Sequence, residues 1–563
     1  MGSLFLLAFA VALNGAPKAT IVVTSDCKPV ERFAAEDLAH WVKEISGAEL
    51  AVEERPAVKD ERQETRDVIF VGSSFAKGKF DDDLAKFRGN DGFAIREKGG
   101  NLYLFGGEPR SAHYAVCRLL EENTDIIWAR PDPGIGTVFT KSATLDFRKT
   151  DRIEIPPYWL HGLDVCGIRH DADMNVWSRR NGANLADDTD PKTKGSCGLL
   201  SMIYGHNYWR IANPKSDLKD HPEYFGYNAA TKKREGETLC LLASGLVDLA
   251  ARRFGAMIEA ETAAGRPPVD WLLLGMRGTW TCCQCERCAA PIVLKDGTKV
   301  GPDDGELHAS TRYWTFVRDV CTKLREKHPE IRYYGWGYHY GRTPPACELP
   351  RWLHCELDMD GDYKGIPYLD PRQDKTVRER ILKWNELLPG HVSYLESWFI
   401  SIDSISGGVP PVKGVGEIPC WQQNLRDMAH VLKGAGAQTY TCPDTSRSAG
   451  GKFPISIEWD ACPAARWLTT RLLWNPDQDL AQLKKFYYTR TYREAADLME
   501  AFTEGVDRGI DKGTLEGLLR RAVAKAEHPN AKAMIRRQLD HWLMSQKCKT
   551  KSPKNTKSNC PKT

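Results

Sequence analysis

The sequence predicts an α/β protein whose centre is a (β/α)8, TIM-like barrel, and three observations carry that expectation. Short apolar runs alternate with amphipathic helical stretches from residue 150 to about 475. The candidate strands in that span number eight, the count that closes such a barrel. A shorter set of strands with two helices precedes them, and only helical periodicity follows.

Residues 19–148 read as a small α/β accessory unit. Ile21-Val22-Val23 is a strand. Phe33, Ala34, Leu38, Trp41, Val42 and Ile45 recur at helical spacing and predict a helix over 31–46. Val68 to Val71 is a second strand. Phe93-Ala94-Ile95 and Leu102 to Phe105 form a hairpin about Gly99-Gly100. Arg110 to Glu121 is a second helix.

In the barrel the candidate strands are Trp159–Leu163, Leu199–Ile203, Leu239–Leu242, Trp271–Leu274, Arg332–Gly335, Trp352–Leu357, Val392–Leu395 and Gln438–Thr441. Helices are expected at Leu246–Ala263, Ser310–Lys327, Lys375–Leu387 and Gln422–Leu432. Residues 477–545 read as a helical bundle with segments beginning at Leu480, Tyr492, Leu515 and Ala531. The basic, polar stretch 546–563 reads as a disordered tail.

Composition narrows the function. A formal net charge of +3 over 563 residues gives no reason to expect nucleic acid or an anionic membrane as partner. Leu4 to Leu13 is too short to span a bilayer and suits the core of a signal peptide over residues 1–16, which predicts a secreted or periplasmic protein. Seventeen cysteines fit export, with disulfides and at least one thiol left over. No phosphate-loop pattern or other cofactor signature is present, and no cofactor is expected.

In a barrel the residues just after each strand share one cleft. The strand ends deliver Asp164, His206, Arg277, Trp280, Trp336, Tyr338, His339, Asp358, Asp360, Glu396, Trp398 and Asp444. Carboxylates among aromatic and hydroxyl-binding side chains are what glycoside cleavage needs. The carboxyl groups donate a proton and stabilise oxocarbenium-like charge, and aromatic faces stack on sugar rings. Glu396 is the first choice for general acid, with Asp358 and Asp360 stabilising charge or orienting substrate. The others are expected to bind substrate. Asp358, Asp360 and Asp362 do not make a calcium loop, because Tyr363 stands at the sixth position and Leu369 at the twelfth.

Cys283, Cys285 and Cys288 have the tight spacing of metal ligands, with Cys282 adjacent. No second pair follows at regular spacing, so a fourth ligand would be Cys282 or a distant histidine. Disulfides, a structural metal and a reactive thiol are the alternatives. The site expectation is no metal, with these three as the candidates if there is one.

Several stretches together resemble a known family: Gly106-Gly107-Glu108-Pro109-Arg110-Ser111-Ala112, Trp128-Ala129-Arg130-Pro131, Arg179-Arg180-Asn181, Gly205-His206, His221-Pro222-Glu223-Tyr224-Phe225, the cysteine loop, Pro344-Pro345, and Leu472-Leu473-Trp474-Asn475-Pro476. Their order resembles the bacterial family known as domain of unknown function 4838, which includes glycoside hydrolase family 163. The resemblance implies a secreted endo-β-N-acetylglucosaminidase acting on N-acetylglucosamine-containing glycans or glycoproteins. The mechanism it implies is retaining and substrate-assisted. Two positions depart from the pattern. Arg277-Gly278 stands where relatives carry an Asn-Asp pair, and Thr441-Cys442-Pro443 where relatives show a Glu-Gln-Gly-like run. The alternative reading is a catalytically degenerate, carbohydrate-binding barrel, and Arg277 is the residue that favours it.

Overall fold

In a computed structural model of the chain, the described residues are 9–57, 67–164, 172–184, 202–203, 205–266, 268–276, 282–359, 362, 365–396, 412–432, 436–440 and 456–548. The N-terminal unit is a six-stranded sheet in the order Arg152–Glu154, Phe93–Lys98, Asn101–Gly106, Val68–Val71, Thr20–Val23, Val52–Glu54. Helices Pro29–Ser46 and Ser111–Asn123 pack together on it. The first helix stops where Gly47 takes a left-handed φ of 77° and its N–H bonds back to the carbonyl of Lys43, a turn that disfavours residues with a Cβ.

Phe9–Leu13, the described part of the N-terminal apolar run, is a strand paired antiparallel with Leu145–Phe147. Phe9, Val11 and Ala12 are buried while Ala10 and Leu13 are exposed, so the segment is used with a strand's two faces. No described helix is long and apolar enough to cross a membrane.

Among the described residues the central sheet has seven strands, all parallel: Leu160–Asp164, Met202–Ile203, Trp271–Leu274, Arg332–Gly337, Leu353–Asp358, Val392–Glu396 and Gly436–Tyr440. From Met202–Ile203 onward each strand lies beside its successor, and the last lies beside the first. Among the described residues no ladder joins Leu160–Asp164 to Met202–Ile203. Helices Leu246–Ala263, Glu306–Arg325, Lys375–Leu387 and Ile418–Leu432 alternate with the strands, and Pro463–Trp474 packs beside the first of them.

One predicted strand is corrected. Leu239–Leu242 does not join the sheet. Lys233–Leu239 pairs antiparallel with Phe225–Asn228 in a local hairpin, and the chain leaves it at Cys240. A polar turn over 229–232 brings two adjacent segments together sooner than a crossover could.

Helices Leu480–Tyr492, Ala496–Asp507, Lys512–Lys525 and Pro529–Cys548 form the C-terminal bundle. Asp479 and Asp511 cap two of them through side-chain oxygens that accept backbone N–H bonds. The last helix runs into the start of the predicted tail, and residues 549–563 lie outside the described residues.

The N-terminal unit docks on the central layer through a buried polar seam. His113 Nε2 donates to Asp37 (2.8 Å), and Arg179 Nε donates to His113 Nδ1 (2.8 Å). Arg180 pairs with the same Asp37. Glu121 accepts two bonds from Arg471 (2.8 and 3.1 Å), and Arg130 pairs with Asp460. Trp177 donates to the carbonyl of Trp128 (3.0 Å).

Because Arg179 needs a lone pair on Nδ1, His113 sits neutral, and burial with Arg179 beside it pushes its pKa down to about 4. A free histidine titrates near ~6.5, so between that pH and about 4 the unfolded chain binds the proton that the folded chain refuses. Stability is therefore full above the unfolded value and lost as pH falls, by about 3 kcal/mol for this group in full. Burial lowers His354 and His391 in the same direction. Glu121, pushed up to about 7 by burial, titrates in the same window with the opposite sign. We predict that His113→Gln removes the His113 part, so that below pH ~6.5 its urea midpoint falls less with acid than that of the parent. Identical pH slopes in the two proteins would exclude a neutral His113.

Candidate active site

Alternation along the strands decides what faces the sheet's interior. Leu160, Trp271, Leu273, Tyr334, Trp336 and Leu395 form one apolar cluster, separate from the larger core that takes Leu272, Leu274, Tyr333, Leu353, Cys355, Leu357, Val392 and Tyr394 against the helices. The interior is filled from below. Arg332 lies over the Trp159 ring (3.8 Å), Trp271 meets Tyr334 edge-on (5.0 Å), and Tyr334 stacks on His354 (4.6 Å). His354, Glu356 and Asp358 therefore share the inward face of their strand, since Leu353, Cys355 and Leu357 take the other.

At the C-terminal ends of the strands an aromatic group converges. Trp336 stacks on Tyr338 with centroids 4.8 Å apart and 25° between planes. His206 tilts against Trp336 at 4.8 Å, and His339 lies 3.8 Å from Tyr338. Trp336 is buried, Tyr338 and His339 are half-buried, and His206 is exposed, so the stack runs from the interior out to solvent. His339 holds a left-handed φ of 45°, uncommon for a side chain with a Cβ. His206 is aimed by a bond between its Nδ1 and the carbonyl of Met276 (2.6 Å). The next residue, Asn207, donates to the carbonyl of Leu273 (2.6 Å) and accepts from the N–H of Gly275 (2.9 Å), extending the short ladder by side-chain bonds.

The carboxylates sit at the same end. Asp358 is 5% exposed and lies in register with Leu395, one residue before Glu396 on the neighbouring strand. Glu396 pairs in register with Thr439, and Asp164 with Tyr440. Asp164 and Glu396 are thus strand-end positions as expected, and their side chains lie outside the described residues, as do Arg277, Trp280, Asp360, Trp398 and Asp444 altogether. Asp362 pairs with Arg380, which ties it to the helix Lys375–Leu387. Glu356, fully buried and in register with Trp336, is a carboxylate the sequence reading missed. The alternation of His354, Glu356 and Asp358 was the signal that could have found it.

The cysteine loop gains a partner that sequence reasoning placed elsewhere. Cys240, at the exit of the hairpin, lies 3.7 Å through sulfur from both Cys285 and Cys288. Among the described residues, Cys282 is outside this cluster and no histidine joins it. Burial pushes the Cys282 thiol up to about 11, which leaves it protonated and poorly nucleophilic. A second buried group, Asp37, His113 and Cys117, could also gather a metal, but Arg179 and Arg180 already bond to its histidine and carboxylate.

The family model described as Domain of unknown function (DUF4838) matches residues 168–504. No curated protein matches the chain. A GH138 enzyme targeting pectin rhamnogalacturonan II is similar in structure, at 11% identity over 93% of this chain and 85% of its own, with a TM-score of 0.51. A GH115 4-O-methyl-α-glucuronidase with specificity for decorated arabinogalactans covers 96% of this chain and 73% of its own at 11% identity, with a TM-score of 0.49. The N-acetyl-β-hexosaminidase of Streptomyces plicatus covers 88% and 93% at 12% identity, with a TM-score of 0.44. The first of these shares the fold.

A glycine makes the mouth geometry testable. A Cβ on Gly275 would lie 1.9 Å from the carbonyl oxygen of Gly205, which is backbone and cannot turn away. We predict that Gly275→Ala destabilises the protein by about 3 kcal/mol or more in chemical denaturation. Gly517→Ala, in a helix interior with nothing within 4 Å of the new atom, should instead gain about 0.5–1 kcal/mol. Equal stabilities for the two variants would refute the close approach at Gly275.

Proposed function

The chain belongs to the DUF4838 family, and from that premise we propose that it is a glycoside hydrolase with its cleft at the C-terminal end of the parallel sheet. The observation that carries this is the Trp336–Tyr338–His206 stack ending in the same layer as Asp358. An aromatic face graded from buried to exposed offers a sugar ring an apolar surface with polar edges. A carboxyl group beside it can stabilise the positive charge that builds at the anomeric carbon. Pairing of the last strand with the first supports a (β/α) barrel, in which that end is where catalytic groups are presented.

In the proposed reaction Glu396 is the general acid. Its carboxylic proton passes to the glycosidic oxygen as the bond from that oxygen to the anomeric carbon breaks. Asp358 and Asp360 stabilise the developing charge or hold the substrate amide. The finer reading is an N-acetylglucosamine-containing glycan whose own 2-acetamido oxygen attacks the anomeric carbon, with water completing a retaining hydrolysis. The resemblance to glycoside hydrolase family 163 supports that reading. Asp164, Arg277, Trp280, His339, Trp398 and Asp444 are proposed to contact the glycan.

Asp358→Asn and Glu396→Gln preserve shape and remove the charge or the transferable proton. Each should cut kcat on a complex N-glycan by roughly two or more orders of magnitude, while the fold, followed by circular dichroism, is unchanged. Near-normal turnover in both variants would sink the assignment. Arg277, where relatives carry a different pair, favours the second reading. Tight glycan binding by the parent protein with no sugar released on long incubation would select the degenerate, carbohydrate-binding barrel.

A further inference from the structure

We propose that Cys240, Cys283, Cys285 and Cys288 form a structural zinc site that joins the 225–239 hairpin to the segment following the strand Trp271–Leu274. All four side chains are buried, and their sulfurs lie within 4.8 Å of one another. Cys240 lies 3.7 Å from both Cys285 and Cys288, sulfur to sulfur. Thiolates about 2.3 Å from a tetrahedral zinc stand about 3.8 Å apart, so these separations are edges of that tetrahedron. A disulfide would bring two sulfurs to about 2.05 Å.

The surroundings are those of a bound metal thiolate. The N–H of Tyr227 points at Cys283 Sγ (3.3 Å). Cys285 is the N-cap of a short turn of helix, Glu286–Ala289, that carries Cys288 one turn on, so a two-residue spacing aims both sulfurs at one point. The Arg234 guanidinium lies against Cys240 and Cys285, and Arg312 donates to the carbonyls of Cys283 (3.3 Å) and Cys288 (2.6 Å). Four thiolates around a divalent ion leave a net negative charge, which these two cations offset. Four protein ligands leave no open position, so the zinc holds structure and does not activate water. Soft sulfur donors in this geometry fit zinc or iron and exclude calcium and magnesium.

Purified full-length protein should carry about one zinc per chain by plasma mass spectrometry. On titration with an organomercurial, zinc should be released to a pyridylazo dye in step with four thiols. Cobalt exchanged into the site should show the intense visible bands of tetrahedral sulfur coordination. Cys240→Ser should drop bound zinc to below about a tenth of an equivalent, and Cys282→Ser should retain it in full. The mercurial and cobalt measurements use the unaltered protein and so stand even if Cys240→Ser fails to fold. Protein with no metal, with iron in place of zinc, or with any of the four cysteines in a disulfide after alkylation would overturn the proposal. So would full zinc retention in Cys240→Ser.

Discussion

The imidazole of His113 is the contact on which the arrangement of the chain turns. It donates to Asp37 from its own sheet unit and accepts from Arg179 of the central layer, so only one tautomer of one neutral ring satisfies both sides. Arg180 pairs with the same carboxylate, and Glu121 with Arg471 makes a second buried crossing. Such pairs add little net stability against apolar packing, but removing one partner leaves a buried charge at a cost of about 3–5 kcal/mol. The seam therefore works by exclusion. Any other docking of the two units would strand Asp37, Glu121 or their arginines without partners, and Trp177 would lose the carbonyl of Trp128.

That fixed docking sets where the central sheet begins. Leu160–Asp164 starts within reach of Asp91, whose carboxylate meets His161 and accepts from Asn184 (3.0 Å). From there the strands follow one another around the layer, and their side chains sort by parity. Among the described residues, rings and a guanidinium pack at the N-terminal end of the strands, and Trp336, Tyr338 and His206 form the stack at the other.

Much of this was legible in residue order. The helices Leu246–Ala263 and Lys375–Leu387 and the strand Trp271–Leu274 have the predicted limits, because strong periodicity and a terminating turn coincide there. One apolar run misled. Leu239–Leu242 is as apolar as a buried strand, and nothing local reveals that its predecessor folds back on Phe225–Asn228. That outcome depends on a partner elsewhere in the chain. The same holds for Cys240, which precedes Cys285 by 45 residues and so looked like one cysteine among many. Glu356 was hidden differently, by reading its strand as a continuous apolar run instead of as two faces.

The segment between Met276 and Cys283 is bounded on both sides by tight constraints. On one side Gly275 sits against the carbonyl of Gly205, and Asn207 bonds to the ladder above it. On the other, Cys283 belongs to the sulfur cluster, and the N–H of Gln284 bonds to the carbonyl of Tyr227 (2.9 Å). Arg277-Gly278 stands between these two anchors in the sequence. The resemblance places an Asn-Asp pair there, so this is the first position at which a change of chemistry within one fold is to be sought, because function follows the residues grafted on a fold and not the fold itself.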